Sequence, residues 1–320
     1  MIVGQNRAVE QFASAWSTRK LHHAWLLAGP KGVGKATFAL QAARRVLADA
    51  AGPPFDLPPV ETPKDHAIVK LVDAGSHPDM RWLEREIDDK TGKLRRNISV
   101  SQVRALGEFL SLTAALSPWR VVTIDSIDDL EPSASNALLK ILEEPPSNTL
   151  FFLVSHAPGR LLPTIRSRCR RLDFQNLRDD AMTSILEQET PNLSGAERQG
   201  IIAMSSGSAG RALAFAELDL TKLENSALAI LRQGDPTNAR RSELASELGK
   251  KAAAERYAAF LELAPSLIAR EARKLEGIAQ ERALDAYSKA RELALIAPRL
   301  SLDPAATFFQ IGGILADVAG

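Results

Sequence analysis

The run Gly29-Pro30-Lys31-Gly32-Val33-Gly34-Lys35-Ala36 satisfies the phosphate-cradling pattern G-x-x-x-x-G-K-[ST] at every fixed position except the last, where alanine replaces the hydroxyl residue. In such a loop successive backbone N–H groups and a helix N-terminus converge on a di- or triphosphate. The lysine adds a point charge and the Ser/Thr oxygen ligates Mg²⁺. The chemistry requires a strand before the loop and a helix after it. His23 to Ala28 reads as a short buried strand, and Lys35 to Ala48 carries helical spacing at Phe38, Ala42, Val46 and Leu47. That setting favours a nucleotide-type loop over an ordinary glycine-rich turn. Ala36 cannot ligate a metal, and Thr37 does not replace it, because one further residue turns a helix by roughly 100°.

At 320 residues the chain has room for two or three domains, each with its own core. With 40 Lys+Arg against 39 Asp+Glu the formal charge is +1, so no bulk basicity advertises nucleic acid and any DNA contact must be local. No apolar run approaches the roughly 18 residues of a membrane span, and the first residues lack the apolar centre of a signal peptide, so the expected compartment is the cytoplasm. Cys169 is the only cysteine. It forms no intrachain disulfide, supports no cysteine-based zinc site, and reads most simply as a small buried apolar residue.

Asn6 to Arg19 reads as an amphipathic helix. Residues 49–66 then crowd Pro53, Pro54, Pro58, Pro59 and Pro63 together and break all periodicity, which predicts a loop or an exposed excursion. Met80 to Glu84 alternates like a strand, Asp88 to Gly92 reads as a turn, and Ser99 or Ser101 caps a helix through Ser111. Trp119 to Asp125 is an apolar strand ending in an acid. Its place downstream of the loop matches the Walker B arrangement, in which the carboxylate holds the Mg²⁺ shell. Where ATPases with a strand inserted between the two motifs carry a water-orienting glutamate beside that acid, this chain has Ser126. General-base assistance is worth about 10²–10⁴ in rate, so even bound ATP should turn over very slowly.

Ser133 reads as the cap of the next helix, with Leu138, Leu139, Ile141 and Leu142 as core and Pro145-Pro146 as its stop. Leu150 to Ser155 is another buried strand, and Ser155 stands where ATPases of this architecture sense the γ-phosphate. Five arginines follow: Arg160, Arg166, Arg168, Arg170 and Arg171. They read either as cations at a solvated helix end or as including an arginine finger for a neighbouring subunit's ATP, a device worth about 10³–10⁵ in rate. Their spacing does not choose between the two.

The run Ser135-Asn136-Ala137-Leu138-Leu139-Lys140-Ile141-Leu142-Glu143-Glu144-Pro145-Pro146, followed by Leu161-Leu162-Pro163-Thr164-Ile165-Arg166-Ser167-Arg168-Cys169, resembles the bacterial sliding-clamp loader family of the DNA polymerase III holoenzyme. Motif similarity is dense from Gly4-Gln5 to about Phe174 and beyond that rests on helix layout. The resemblance implies an AAA+-type α/β P-loop core with a parallel sheet, a small three-helix lid and an all-α collar, over 1–174, 175–218 and 219–320. It implies that Arg168, in the Ser-Arg-Cys motif, is presented in trans to ATP on an adjacent γ/τ subunit. Gly29, Gly32, Gly34, Lys35, Asp125 and Ser155 become the nucleotide-binding set of a degenerate site. The implied partners are γ/τ- and δ-type loader subunits, the sliding clamp and primed DNA within the complex, with no membrane.

Ala36 and Ser126 fit a stator-type branch of that family better than the γ/τ branch, its working ATPase. Such a subunit has no polymerase activity and no ATPase activity of its own, yet belongs to the DNA-directed DNA polymerase holoenzyme. The four-cysteine zinc module that relatives often carry after the loop helix is missing, so no metal is assigned. Whether ATP or ADP binds without turnover stays open. At the second sensor position the alignment places Gly210, with Arg211 one residue late.

Beyond Phe174 the pattern is helical. Ala181 to Glu189, a capping-box start at Ser194-x-x-Glu197, and Ser208 to Leu218 supply three lid helices. Gly234-Asp235-Pro236 marks a stop and a new start, and Asp303-Pro304 repeats the capping acid with proline in the first turn. Tyr257, Phe260, Leu261, Ala264, Leu267 and Ile268 follow helical spacing across Pro265, which is expected to break or kink the run. Two other readings remain: an active γ/τ-like AAA+ ATPase, and a P-loop small-molecule kinase.

Overall fold

The computed structural model describes residues 2–53, 55–218, 221–248 and 253–319; Pro54 and the expected boundary at Asp219 lie outside them. Internal contacts divide the chain into two compact units, Met1–Ala181 and Met182–Gly320.

The first unit is an α/β layer built on a five-stranded parallel sheet in the order β2-β3-β4-β1-β5. In chain order its elements are α1 (Asn6–Ser17), β1 (Ala24–Ala28), α2 (Lys35–Ala51), α3 (Ala67–Asp73), β2 (Met80–Leu83), α4 (Val100–Ser111), β3 (Arg120–Asp125), α5 (Pro132–Glu143), β4 (Thr149–Ser155), α6 (Pro163–Arg166) and β5 (Arg170–Asp173). β1 and β4 are buried at every position, as strands covered on both faces must be, and their sequences are accordingly apolar runs without alternation. One face carries Trp25, Leu27, Val121, Phe152, Val154 and Leu172 against Phe12 of α1 and Phe38, Ala42 and Val46 of α2. The other carries Leu26, Val122, Ile124, Phe151 and Leu153 against Leu106 of α4 and Leu138 and Leu142 of α5. Phe12 centres an aromatic cluster, edge-on to Trp25 at 5.3 Å and to Phe38 at 5.7 Å between ring centroids.

Three local expectations change in this unit. The proline-rich segment is a loop, but it is tied down. Val60 is buried and Phe55 packs on the core, while Arg45 Nη1 donates to the carbonyls of Leu57 at 3.2 Å and Glu61 at 3.0 Å. The helix expected to be capped by Ser133 has Glu131 as its cap and Pro132 as its first residue, where a fixed φ and a missing N–H cost nothing. The arginine cluster is not a helix end throughout: Arg170 and Arg171 lie on β5, an edge strand held by pairing with β1. The short helix α3 follows the proline-rich loop, with the His66 ring accepting from the Ile68 N–H.

The second unit is helical. α7 (Asp179–Glu189) spans the division, followed by α8 (Gly195–Ser205), α9 (Ala209–Glu217), α10 (Thr221–Gln233), α11 (Ala239–Leu248), α12 (Ala254–Ala272), α13 (Gly277–Leu300) and α14 (Pro304–Ala319). α12 packs on α13, and α14 packs on α10, α11 and α13. α8 packs on α9, α10 and α12. The capping box at Ser194 and Glu197 forms as expected, and Asp303 Oδ1 accepts the Ala306 N–H at 2.8 Å. α12 runs unbroken through Pro265, which is buried beside Phe260, Leu261, Leu267 and Ile268; that packing holds the helix where a backbone donor is missing. Pro236 does not open a helix. A turn intervenes, and Asp235 instead accepts the N–H groups of Arg240 and Arg241 in the first turn of α11. Among the described residues no helix is long and apolar enough to cross a membrane.

Candidate nucleotide site and arginine cluster

β1 ends at Ala28, and the loop turns off the sheet at Gly29. A Cβ on Gly29 would lie 2.2 Å from the carbonyl oxygen of Phe174, so only glycine lets the loop pass the chain leaving β5. Gly32 and Gly34 have φ of +77° and +97°, the left-handed turns that curl the loop back to the start of α2. Gln5, buried at the start of α1, straps this geometry in place. Its Nε2 donates to the carbonyls of Val33 at 3.1 Å and Gln175 at 2.8 Å, and its Oε1 accepts the Gln175 N–H. The family resemblance includes Gly4-Gln5 but no local pattern shows this role, because both partners lie far along the chain; the Gln5 side chain makes no cap bond to α1.

Lys35 is buried and aims its ammonium back into the loop, donating to the carbonyl of Gly29 at 2.6 Å and to that of Pro30. Burial pushes it down to about 8, against the pull of Asp125 and Asp128. Asp125, at the end of β3, is pushed up by burial and by Glu84, with Lys35 opposing. The expected pair of P-loop lysine and Walker B acid is therefore electrostatically coupled. Ala36, the second residue of α2, has no side-chain oxygen to offer, and Thr37 is exposed on the helix.

The two serines are engaged elsewhere. Ser126 Oγ donates to Asp129 Oδ2 at 3.2 Å, and Ser155 Oγ donates to Asp128 Oδ1 at 2.9 Å. Asp128 also accepts the N–H groups of His156 at 2.5 Å and Ala157 at 3.3 Å, which fixes the chain as it leaves β4. His156 is held below its ordinary value, first by burial and then by Lys35. Asp128, in the turn after β3, went unnoticed in the sequence because its partners lie far along the chain, at and just beyond the end of β4. Among the described residues no cluster of three or more His, Cys, Asp or Glu could hold a metal ion.

Of the five arginines, Arg171 pairs with Asp173 on its own strand, and the Arg170 guanidinium stands 5.1 Å from the centre of the Trp25 ring. Arg168 follows α6 and is half-buried. Its Nη2 meets Glu143 Oε1 at 2.8 Å and its Nη1 donates to the Thr164 carbonyl at 2.9 Å. Cys169 packs against the sheet's second core, and burial pushes its thiol up to about 12, so it behaves as an apolar side chain. Within the second unit Arg211 lies on α9, its Nε 3.4 Å from Glu262 Oε2 on α12.

The family model described as "DNA polymerase III, delta subunit" matches residues 4–178. The chain belongs to that family. Among curated relatives, the DNA polymerase III subunit delta' of Pseudomonas aeruginosa is 41% identical over 150 residues, 46% of this chain and 41% of that protein. The delta' subunit of Bacillus subtilis is 32% identical over 186 residues, 58% of this chain and 52% of that one, and the tau subunit of the same organism is 29% identical over 71% and 39%. The matched stretch thus spans about half the length, or less, of these relatives. A solved structure of a DNA polymerase III gamma subunit-related protein from Thermotoga maritima superposes with a TM-score of 0.51 at 16% identity, covering 98% of this chain and all of that one. At that identity the likeness establishes fold alone: an α/β core with a parallel sheet and a P-loop, followed by an all-helical region.

Proposed function

We propose that the chain is the δ′ subunit of a bacterial DNA polymerase III clamp loader, a stator that hydrolyses little or no ATP itself and helps place the sliding clamp on primed DNA. The observation that carries this reading is a P-loop whose backbone frame and lysine are intact while the metal-ligating hydroxyl and the water-orienting acid are missing. Gly29, Gly32 and Gly34 keep the loop's turns, yet Ala36 supplies no metal ligand and Ser126 gives its hydroxyl to Asp129. Lys35 bonds the loop's own carbonyls, so any phosphate would have to displace those contacts.

Arg168 supplies the chemistry to a neighbour, reaching ATP on a γ/τ-type subunit. The Ser-Arg-Cys motif and its half-exposed guanidinium support that role. In functional terms 1–174 is the P-loop core, 175–218 the lid and 219–320 the collar through which the loader assembles, with γ/τ- and δ-type subunits as ring partners. The small-molecule kinase reading is set aside by family membership.

The purified chain should hydrolyse ATP no faster than background, and Arg168→Ala in a reconstituted loader should lower the DNA-stimulated ATPase without disturbing assembly. Turnover of about 1 s⁻¹ by the isolated chain, the low end for ordinary enzymes, would instead identify an active γ/τ-like ATPase. Wild-type clamp loading by the Arg168→Ala loader would make Arg168 a solvated cation.

A further inference from the structure

Arg168 differs from Arg171 in where its tethers come from. Arg171 pairs with an acid two residues along the same strand, with both side chains more than half exposed. Arg168 is gripped from two elements: the Thr164 carbonyl of α6, four residues back, and the carboxylate of Glu143 at the end of α5. α6 is only four residues long, too short to order a long side chain by itself. α5 is a longer, well-packed helix, with Leu138 and Leu142 in the core. An acid on the last turn of a helix is disfavoured by the helix dipole, and the paired arginine offsets that repulsion. A guanidinium has five N–H donors in a rigid plane, so two fixed contacts set its orientation and leave other donors for a further acceptor.

We infer that Glu143 is a positioning residue for Arg168, holding the guanidinium in the orientation from which it reaches a nucleotide on the adjacent subunit; this rests on the trans role proposed for Arg168. Glu143 touches no nucleotide and acts only through the arginine. Two properties follow. Its loss acts on the rate of the chemical step rather than on nucleotide affinity, because the finger's contact strengthens in the transition state. Its effect also vanishes once the arginine is gone.

The test uses the whole loader reconstituted with its γ/τ- and δ-type subunits and measures ATPase in the presence of clamp and primed DNA for the wild type, Glu143→Ala, Glu143→Gln, Arg168→Ala and the double variant Glu143→Ala/Arg168→Ala. Glu144→Ala, the adjacent acid, serves as control. Glu143→Ala should lower kcat by about 5- to 100-fold, between the loss of an exposed ion pair and the misplacement of a catalytic group, with KM for ATP unchanged. Glu143→Gln, which keeps an acceptor oxygen, should fall between Glu143→Ala and the wild type, Glu144→Ala should match the wild type, and the double variant should match Arg168→Ala. A wild-type kcat for Glu143→Ala, or a loss that multiplies with that of Arg168→Ala, overturns the positioning role while leaving the trans arginine standing. A wild-type kcat for Arg168→Ala removes the trans role of Arg168 and the positioning role with it, leaving the non-hydrolysing reading of the P-loop standing. Thermal melts of each isolated variant separate misfolding from mispositioning, and a misfolded Glu143→Ala leaves Glu143→Gln, whose wild-type kcat would likewise overturn the role.

Discussion

Gly29 and Gly34 lie in the same loop and are glycine for different reasons. At Gly29 the obstacle is another part of the chain: a methyl group there would collide with the Phe174 carbonyl at 2.2 Å, and a backbone atom cannot rotate away. At Gly34 nothing lies within 4 Å of the added carbon, and the obstacle is φ of +97°. Gly29→Ala should therefore cost about 3 kcal/mol or more, and Gly34→Ala only about 1–2 kcal/mol. Urea unfolding of the two variants decides it; equal costs would mean that the contact at Phe174 relaxes easily. The residue scale also shows what motifs conceal. Lys35 and Ser155 have protein groups as their partners, and Asp128, which no motif names, holds Ser155 and the next two N–H groups.

Between elements, two buried acids fasten segments that their own sequences would not hold. Asp79, 2% exposed, accepts the N–H groups of Ala115 at 2.6 Å, Leu116 at 2.7 Å and Ser117 at 2.9 Å, closing the irregular stretch between α4 and β3. Asp79→Ala strands three donors, one on buried Ser117, and should lower stability by about 2–4 kcal/mol in denaturant unfolding; a loss under about 0.5 kcal/mol would show that water replaces the carboxylate. Glu271 of α12 binds Arg232 of α10 at 2.9 Å and Lys274 at 2.8 Å. The hydrogen bond from Arg232, outweighing burial, draws its carboxyl down from 4.5 to about 2. A carboxyl lowered on folding contributes stability that is complete above about 4.5 and drains away as pH falls toward 2. With both cations more than half exposed, the contribution is discounted to about 2 kcal/mol. The stability gap between the wild type and Glu271→Gln should be full at pH 7 and close between pH 4.5 and 2; a gap independent of pH would assign the effect to packing.

For the molecule as a whole, the contact pattern makes a specific claim about where the chain can be cut. A fragment ending at Leu218 carries α8 and α9 but strips from them α10 and α12, against which α8 packs, and the Glu262 partner of Arg211. Ending instead at Glu189 keeps α7 whole. Fragment 1–189 should melt cooperatively with mixed α/β circular dichroism, while in fragment 1–218 the amides of α8 and α9 should exchange with solvent faster than in the full chain. Equal protection of α8 and α9 in both would mean that they form a stable unit without the later helices. Fragment 190–320 should be almost wholly helical, and if the collar assignment holds it should bind γ/τ-type partners by itself.

The sequence alone determined what is local. The P-loop with its flanking strand and helix, the capping box at Ser194 with Glu197, and the buried runs of β1, β3 and β4 depend on residues a few positions apart, whose spacing is fixed by helix and strand geometry, while the choice of Ser99 over Ser101 as the cap of α4 was made by the structure. The tertiary structure decided what is distant. Arg170-Arg171-Leu172-Asp173 has one buried residue and no strand signature, and is a strand only because β1 offers it an edge. Arg45 gathers the proline-rich loop from a helix earlier in the chain, and Gln5 ties the phosphate loop to the exit of β5. Arg168 came with a motif, but its grip by Glu143 did not. Hydrogen bonds and ion pairs between remote residues leave no period in a sequence, because their geometry exists only once the sheet has brought the elements together.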